Sequence, residues 1–126
     1  MSAIVLYAKD LERVATFYRR VVGLDVVEAA DGFVVLSSAG SELAVVRMAD
    51  AVAEAVTIAD PPERRSDTPI KPVFTVPDLE TARRVALACG GTPDPSESSW
   101  TWRGFRHLDV VDPEGNVLQV RQRDEV

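Results

Sequence analysis

The feature that most constrains this chain is that it nearly repeats itself. Asp10-Leu11-Glu12 recurs as Asp78-Leu79-Glu80, and Gly23, behind the stretch after the first copy, recurs as Gly91 at the same offset behind the second. Each Asp-Leu-Glu follows a short apolar run, Ile4 to Tyr7 or Val73 to Val76, and precedes a segment whose apolar residues fall at helical spacing. A chain of 126 residues buries one sizeable core and is too short for two ordinary ones. The repeat therefore predicts one compact domain made of two strand-helix-three-strand units.

In the first unit Leu11, Val14, Ala15, Tyr18 and Val22 make one stripe of a helix expected over 11–22. Asp10 is its expected N-cap, because a short carboxylate accepts from the unpaired amides of the first turn; Asp78 takes the same part for a helix over 79–89. Strands are expected over 24–28, 33–37 and 42–48, with turns at Asp31-Gly32 and Ala39-Gly40. The stretch 49–69 ends in Asp60-Pro61-Pro62-Glu63-Arg64-Arg65-Ser66-Asp67 and reads as a linker with a helical turn at its start. The second unit continues through a weak strand near Thr92, a loop rich in Ser and Pro, and strands over 102–111 and 117–121 joined by Asp112-Pro113-Glu114-Gly115-Asn116. The units then occupy about 1–48 and about 70–123.

Other classes of function are disfavoured by composition. No apolar run approaches the roughly 18 residues of a membrane span, and the start of the chain has neither a basic leader nor a small-residue cleavage pattern, so a cytoplasmic protein is expected. The single cysteine, Cys89, has no intrachain partner and reads as a spacer in an apolar helical stretch. A net charge of −6 opposes nucleic-acid binding, with only Arg64-Arg65 and Arg83-Arg84 as small basic patches.

Taken with Phe17-Tyr18 and Gly23-Leu24, the tandem units and the closing run Asp112-Pro113-Glu114-Gly115-Asn116-Val117-Leu118-Gln119-Val120 resemble the vicinal oxygen chelate superfamily. That group includes glyoxalases, extradiol dioxygenases, fosfomycin-resistance enzymes and bleomycin-resistance proteins. The resemblance implies an α+β fold of two βαβββ modules in tandem, each with a curved mixed sheet, together forming a concave cleft. In metal-dependent members the ligands come from the opening and closing strands of each module. The corresponding positions here are Ala3, Ala44, Lys71 and Gln119. Alanine has no ligand atom and an ammonium repels a divalent cation, so no metal and no other cofactor is expected.

Strand alternation then assigns faces. Ala3, Val5 and Tyr7, Lys71, Val73 and Thr75, Glu42, Ala44, Val46 and Met48, and Val117, Gln119 and Arg121 are expected toward the cleft, with Ile4, Leu6, Leu43, Val45, Phe74, Val76, Leu118 and Val120 toward the helices. Arg47 breaks the pattern and is placed near a strand end. Phe105, His107, Asp109 and Val111 share the cleft side of their strand, where Asp109 is expected to orient or charge the His107 imidazole as a candidate base. Solvation or a dimer contact is the plainer use of that histidine. Lys71 is a candidate to neutralise an anionic ligand; Trp100 and Trp102, placed on a loop, are candidates to stack on a planar one; Tyr7, Thr75, Phe105, Gln119 and Arg121 complete the candidate binding set.

The function expected is metal-independent binding of an aromatic or planar metabolite or antibiotic, by a homodimer, rather than catalysis. The alternatives are a metal-free isomerase, epimerase or lyase using His107 with Asp109, and a non-catalytic partner subunit with a closed cavity.

Overall fold

The computed structural model describes residues 2–124, so the expected start of the first unit at Met1 lies outside the described residues. The first unit holds β1 (Ser2–Ala8), α1 (Leu11–Val22), β2 (Asp25–Ala30), β3 (Phe33–Ser38) and β4 (Ser41–Arg47). Its sheet runs β1-β4-β3-β2, with β1 parallel to β4. The linker opens with α2 (Asp50–Ala55). The second unit holds β5 (Val73–Thr75), α3 (Leu79–Ala88), β6 (Thr92–Pro93), β7 (Trp100–Trp102), β8 (Phe105–Val111) and β9 (Val117–Arg123). Its sheet runs β5-β9-β8-β6, with β5 parallel to β9 and β7 also paired to β8. The architecture is the α+β arrangement of two mixed sheets that the resemblance implies.

One face of each sheet packs on the helices. Leu36, Leu43 and Val45 from the first sheet and Leu108, Val110, Leu118 and Val120 from the second join Val14, Phe17, Tyr18, Ala82 and Ala86 in one buried cluster. Apolar residues on one face of period-two strands and period-3.6 helices account for this core, because only that pairing removes both stripes from water.

The helix ends show the sequence signals at atomic detail. Asp10 accepts from the Arg13 amide at 3.2 Å, and Asp78 accepts from the Thr81 amide at 2.9 Å and the Thr81 hydroxyl at 2.7 Å. Those two bonds hold the Asp78 carboxyl below its usual range. Gly23 ends α1 in the left-handed conformation, φ 81°. The expected counterpart, Gly91, is not the left-handed residue; Gly90 is, with φ 86°. Gly91 is needed for space instead, since a Cβ there would strike the Phe17 ring and come within 2.6 Å of the Val111 carbonyl oxygen.

A second correction concerns the strand expected over 102–111. Arg103 and Gly104 adopt φ of 52° and 81°, a pair of left-handed residues that folds the chain back on itself in two residues. Trp100–Trp102 is therefore a strand, β7, and not a loop. Both β6 and β7 lie along β8, at opposite ends of it, with a short helical turn at Ser96–Ser98 between them.

The Asp112–Asn116 turn does more than join β8 to β9. Glu114 reaches back to the first unit and accepts from the Lys9 and Asp10 amides, both at 2.7 Å. Asp112 accepts from the Tyr18 hydroxyl at 2.9 Å, from the Glu114 amide at 2.8 Å and from the Asn116 amide at 3.0 Å. Burial pushes Tyr18 well above the usual phenol range, helped by the charge and hydrogen bond of Asp112. Burial also raises Asp112, against hydrogen bonds from Asn116, Glu114 and Tyr18 that pull it down.

Candidate functional site

The strand registers decide which residues of the two units correspond. Val5 pairs with Ala44 across β1 and β4, and Val73 pairs with Gln119 across β5 and β9. On the next strand over, Phe33 and Val35 face Val46 and Ala44, while His107 and Asp109 face Arg121 and Gln119. His107, Asp109 and Gln119 thus stand where the first unit has Phe33, Val35 and Ala44.

These three residues form a connected group on the face of the second sheet turned away from α3. The His107 Nδ1 and the Gln119 Oε1 are 2.6 Å apart, and the Gln119 amide nitrogen donates to Asp109 Oδ1 at 3.2 Å. Asp109 does not touch His107; Gln119 stands between them. An ionised carboxylate only accepts, so Gln119 must turn its NH2 toward Asp109 and its oxygen toward the imidazole, which places a proton on His107 Nδ1. The other ring nitrogen, Nε2, lies 3.3 Å from the Trp102 carbonyl oxygen. His107 is only 2% exposed. Trp100 stacks on it with ring centroids 5.5 Å apart and planes 13° apart, and Trp102 and Phe105 close in at 6.0 and 6.3 Å.

Asp109 is buried, and its charge is met by cations from outside β8. Lys71 donates to its Oδ2 at 2.8 Å and Arg64 at 3.1 Å, while Arg64 also donates to Asp94 at 3.1 Å. Lys71 precedes β5 and is not its first residue. Arg64 belongs to the linker, which lies against the end of the second sheet: the Arg65 amide donates to the Gly115 carbonyl at 2.9 Å. Sequence reasoning treated that segment as a tether and missed Arg64 and Asp94. The available signal was Asp109 itself, because a carboxylate on an inward-facing strand requires a counter-charge and the linker offers two arginines.

The remaining candidates divide. Thr75 accepts from the Arg121 Nε at 2.9 Å, and the Arg121 guanidinium lies 3.9 Å from the centroid of the Phe105 ring. Trp100 and Trp102 are 40% and 61% exposed, so each offers indole surface to solvent. Tyr7 is not part of this group; it projects from β1 of the other sheet and is 61% exposed.

The residues at the positions where the resemblance would put metal ligands do not fit a divalent cation. Ala3 and Ala44 carry no ligand atom, the Lys71 ammonium is tied to Asp109, and both ends of the Gln119 amide are in use. Among the described residues no three His, Cys, Asp or Glu side chains are grouped to hold a metal.

The fold and these residues can be set beside known proteins. No curated protein matches the chain. Among solved structures, a glyoxalase/bleomycin resistance protein/dioxygenase family enzyme from Burkholderia phytofirmans PsJN is similar at TM-score 0.70 and 19% identity, covering 96% of each chain. A glyoxalase/bleomycin resistance protein from Albidiferax ferrireducens T118 is similar at TM-score 0.68 and 18% identity, covering 98% of each. The genomically encoded fosfomycin resistance protein FosX of Listeria monocytogenes is similar at TM-score 0.67 and 15% identity, covering 97% of this chain and 91% of that one. At these identities the likeness is one of fold. The model of the glyoxalase-like domain matches residues 3–121, nearly the whole chain, and the protein therefore belongs to that family, within the vicinal oxygen chelate superfamily.

Proposed function

We propose that this protein is a metal-independent binder of an aromatic or planar small molecule, a metabolite or antibiotic held on the His107 face of the second sheet, and that it works as a homodimer in the cytoplasm. The observation that carries the reading is the state of His107. It is buried, stacked on Trp100 and hydrogen-bonded through Nδ1 to Gln119, while the two indoles beside it are open to solvent. A histidine so placed acts as a floor that fixes the indole plane, and a fixed plane loses little entropy when a flat ligand stacks on it. Dimer formation is supported by the apolar side chains left exposed on both sheets, Val5 at 57% and Tyr7 at 61% on one and Trp102 at 61% on the other. No helix among the described residues is long and apolar enough to cross a membrane.

One observation favours a second reading, a metal-free isomerase, epimerase or lyase. The Asp109-Gln119-His107 chain fixes the proton on Nδ1 and leaves Nε2 as the nitrogen that would take a proton from substrate. Native mass spectrometry of the protein from its producing cells tests the main reading. We expect a dimer of the 13.7 kDa chain with a retained small molecule and no stoichiometric metal. A bare monomer, or one equivalent of a transition metal lost on Gln119→Ala, overturns it.

A further inference from the structure

The His107 face ends in arginines that have no acid partner among the described residues. Arg121 and Arg123 sit opposite His107 and Phe105 on β9, and their guanidinium carbons lie 3.9 and 5.0 Å from the centroid of the same Phe105 ring. Arg103, at the β7–β8 turn, lies 5.5 Å from the Trp102 ring centroid. The ion pairs of the described residues are elsewhere: Arg47 with Asp31, Arg64 with Asp94 and Asp109, and Lys71 with Asp109. Arg121 commits its Nε to Thr75.

This concentration runs against the composition of the chain, whose net charge is −6. Two guanidiniums on one phenyl ring repel each other, and the cation–π contact offsets only part of that cost. A single anion lying between them would reverse the sign of the interaction. The same corner offers flat apolar surface in the exposed faces of Trp100 and Trp102.

We propose that this corner binds a planar aromatic carboxylate, its ring on the indoles of Trp100 and Trp102 and its carboxylate on the terminal nitrogens of Arg121 and Arg123. The proposal rests on the reading of the protein as a binder of planar small molecules and adds the charge of the ligand. The guanidinium fork matches a carboxylate in pairs of hydrogen bonds. A planar cation is repelled by the arginines, and an anion without a ring forgoes the indoles.

Isothermal titration of the intact protein with 2-naphthoate and with its neutral isostere 2-naphthamide tests the proposal. We expect the carboxylate to bind more tightly than the amide by about tenfold or more, the effect of one charge-assisted hydrogen bond. The gap is expected to shrink with added salt, to close in Arg123→Gln and in Arg121→Gln, and to persist in Arg106→Gln, whose side chain leaves β8 on the opposite face. Arg123 is exposed, so its substitution keeps the test valid if Arg121→Gln disturbs folding. Equal affinity for the two probes overturns the proposal and leaves the planar-ligand reading standing, whereas binding of neither overturns both. A carboxylate preference that survives both arginine substitutions places the anion elsewhere and also overturns it. So does a loss of dimer on Arg123→Gln, by light scattering, without carboxylate binding to the wild-type dimer, because the arginines then hold a second copy of the chain.

Discussion

The two sheets of this protein share a register and differ in what they do with it. On the helix side they are interchangeable: Leu43 and Val45 in one, Leu118 and Val120 in the other, all buried in one core. On the opposite side Phe33, Val35 and Ala44 stand where the second sheet has His107, Asp109 and Gln119. The first group makes only packing contacts and is partly open. The second is a hydrogen-bonded chain closed over by Arg64, Lys71 and Trp100. The same pairing pattern thus carries two different outer faces, and the chemistry of that face differs without a change in strand register.

The largest test of the comparison is to cut what joins its halves. Asp112→Ala removes the acceptor for Tyr18, for two amides of its own turn and for Asn116 in a buried place, and we expect a loss of about 3 kcal/mol in urea unfolding. The same seam sets the alkaline limit. The folded Tyr18 is raised well above its usual value, so above pH about 10, the ordinary phenol value, the unfolded chain loses its proton first. Fewer protons on the unfolded state mean that stability falls with rising pH. Its contribution is complete below that pH, and the urea midpoint is expected to decline above it through the folded value. Tyr18→Phe should flatten that decline.

The next test compares corresponding positions. Asp109→Ala leaves the Gln119 amide and Lys71 without their acceptor and Arg64 with Asp94 alone, and is expected to cost about 2 kcal/mol, discounted for the partial exposure of Arg64 and Lys71. Val35→Ala, its counterpart, removes only partly buried methyl groups and is expected to cost about 0.5–1 kcal/mol. Equal costs in urea unfolding would mean that the polar chain adds nothing that packing does not. A last test lies at the end of α1, where Gly23 is left-handed with open space around it. Gly23→Ala is expected to cost about 1 kcal/mol in thermal unfolding, the strain of a Cβ in that conformation and nothing more.

Much of this was legible in the sequence because it depends on neighbours along the chain. Asp10 and Asp78 are recognisable as caps because their acceptors reach amides three residues on. The alternation of the strands predicts which faces meet the helices because its period is fixed by the backbone. What escaped depends on residues far apart. The insertion of Gln119 between His107 and Asp109 follows from the register of β8 against β9, and Arg64 reaches Asp94 and Asp109 from a segment with no periodicity to read. The β7–β8 turn escaped for a different reason: its first residue is Arg103, a residue type that seldom takes positive φ, where Asn or Asp would have announced it.

The bond between Tyr18 and Asp112 spans 94 residues of sequence. Closing so long a loop is slow and is rewarded only after both halves have ordered, so this clasp forms late on the folding route. Its energy is then absent at the barrier. Asp112→Ala is accordingly expected to speed unfolding and to leave the folding rate nearly unchanged in stopped-flow measurements over a range of urea concentrations, so that the clasp would govern how long the assembled protein lasts rather than how fast it is made.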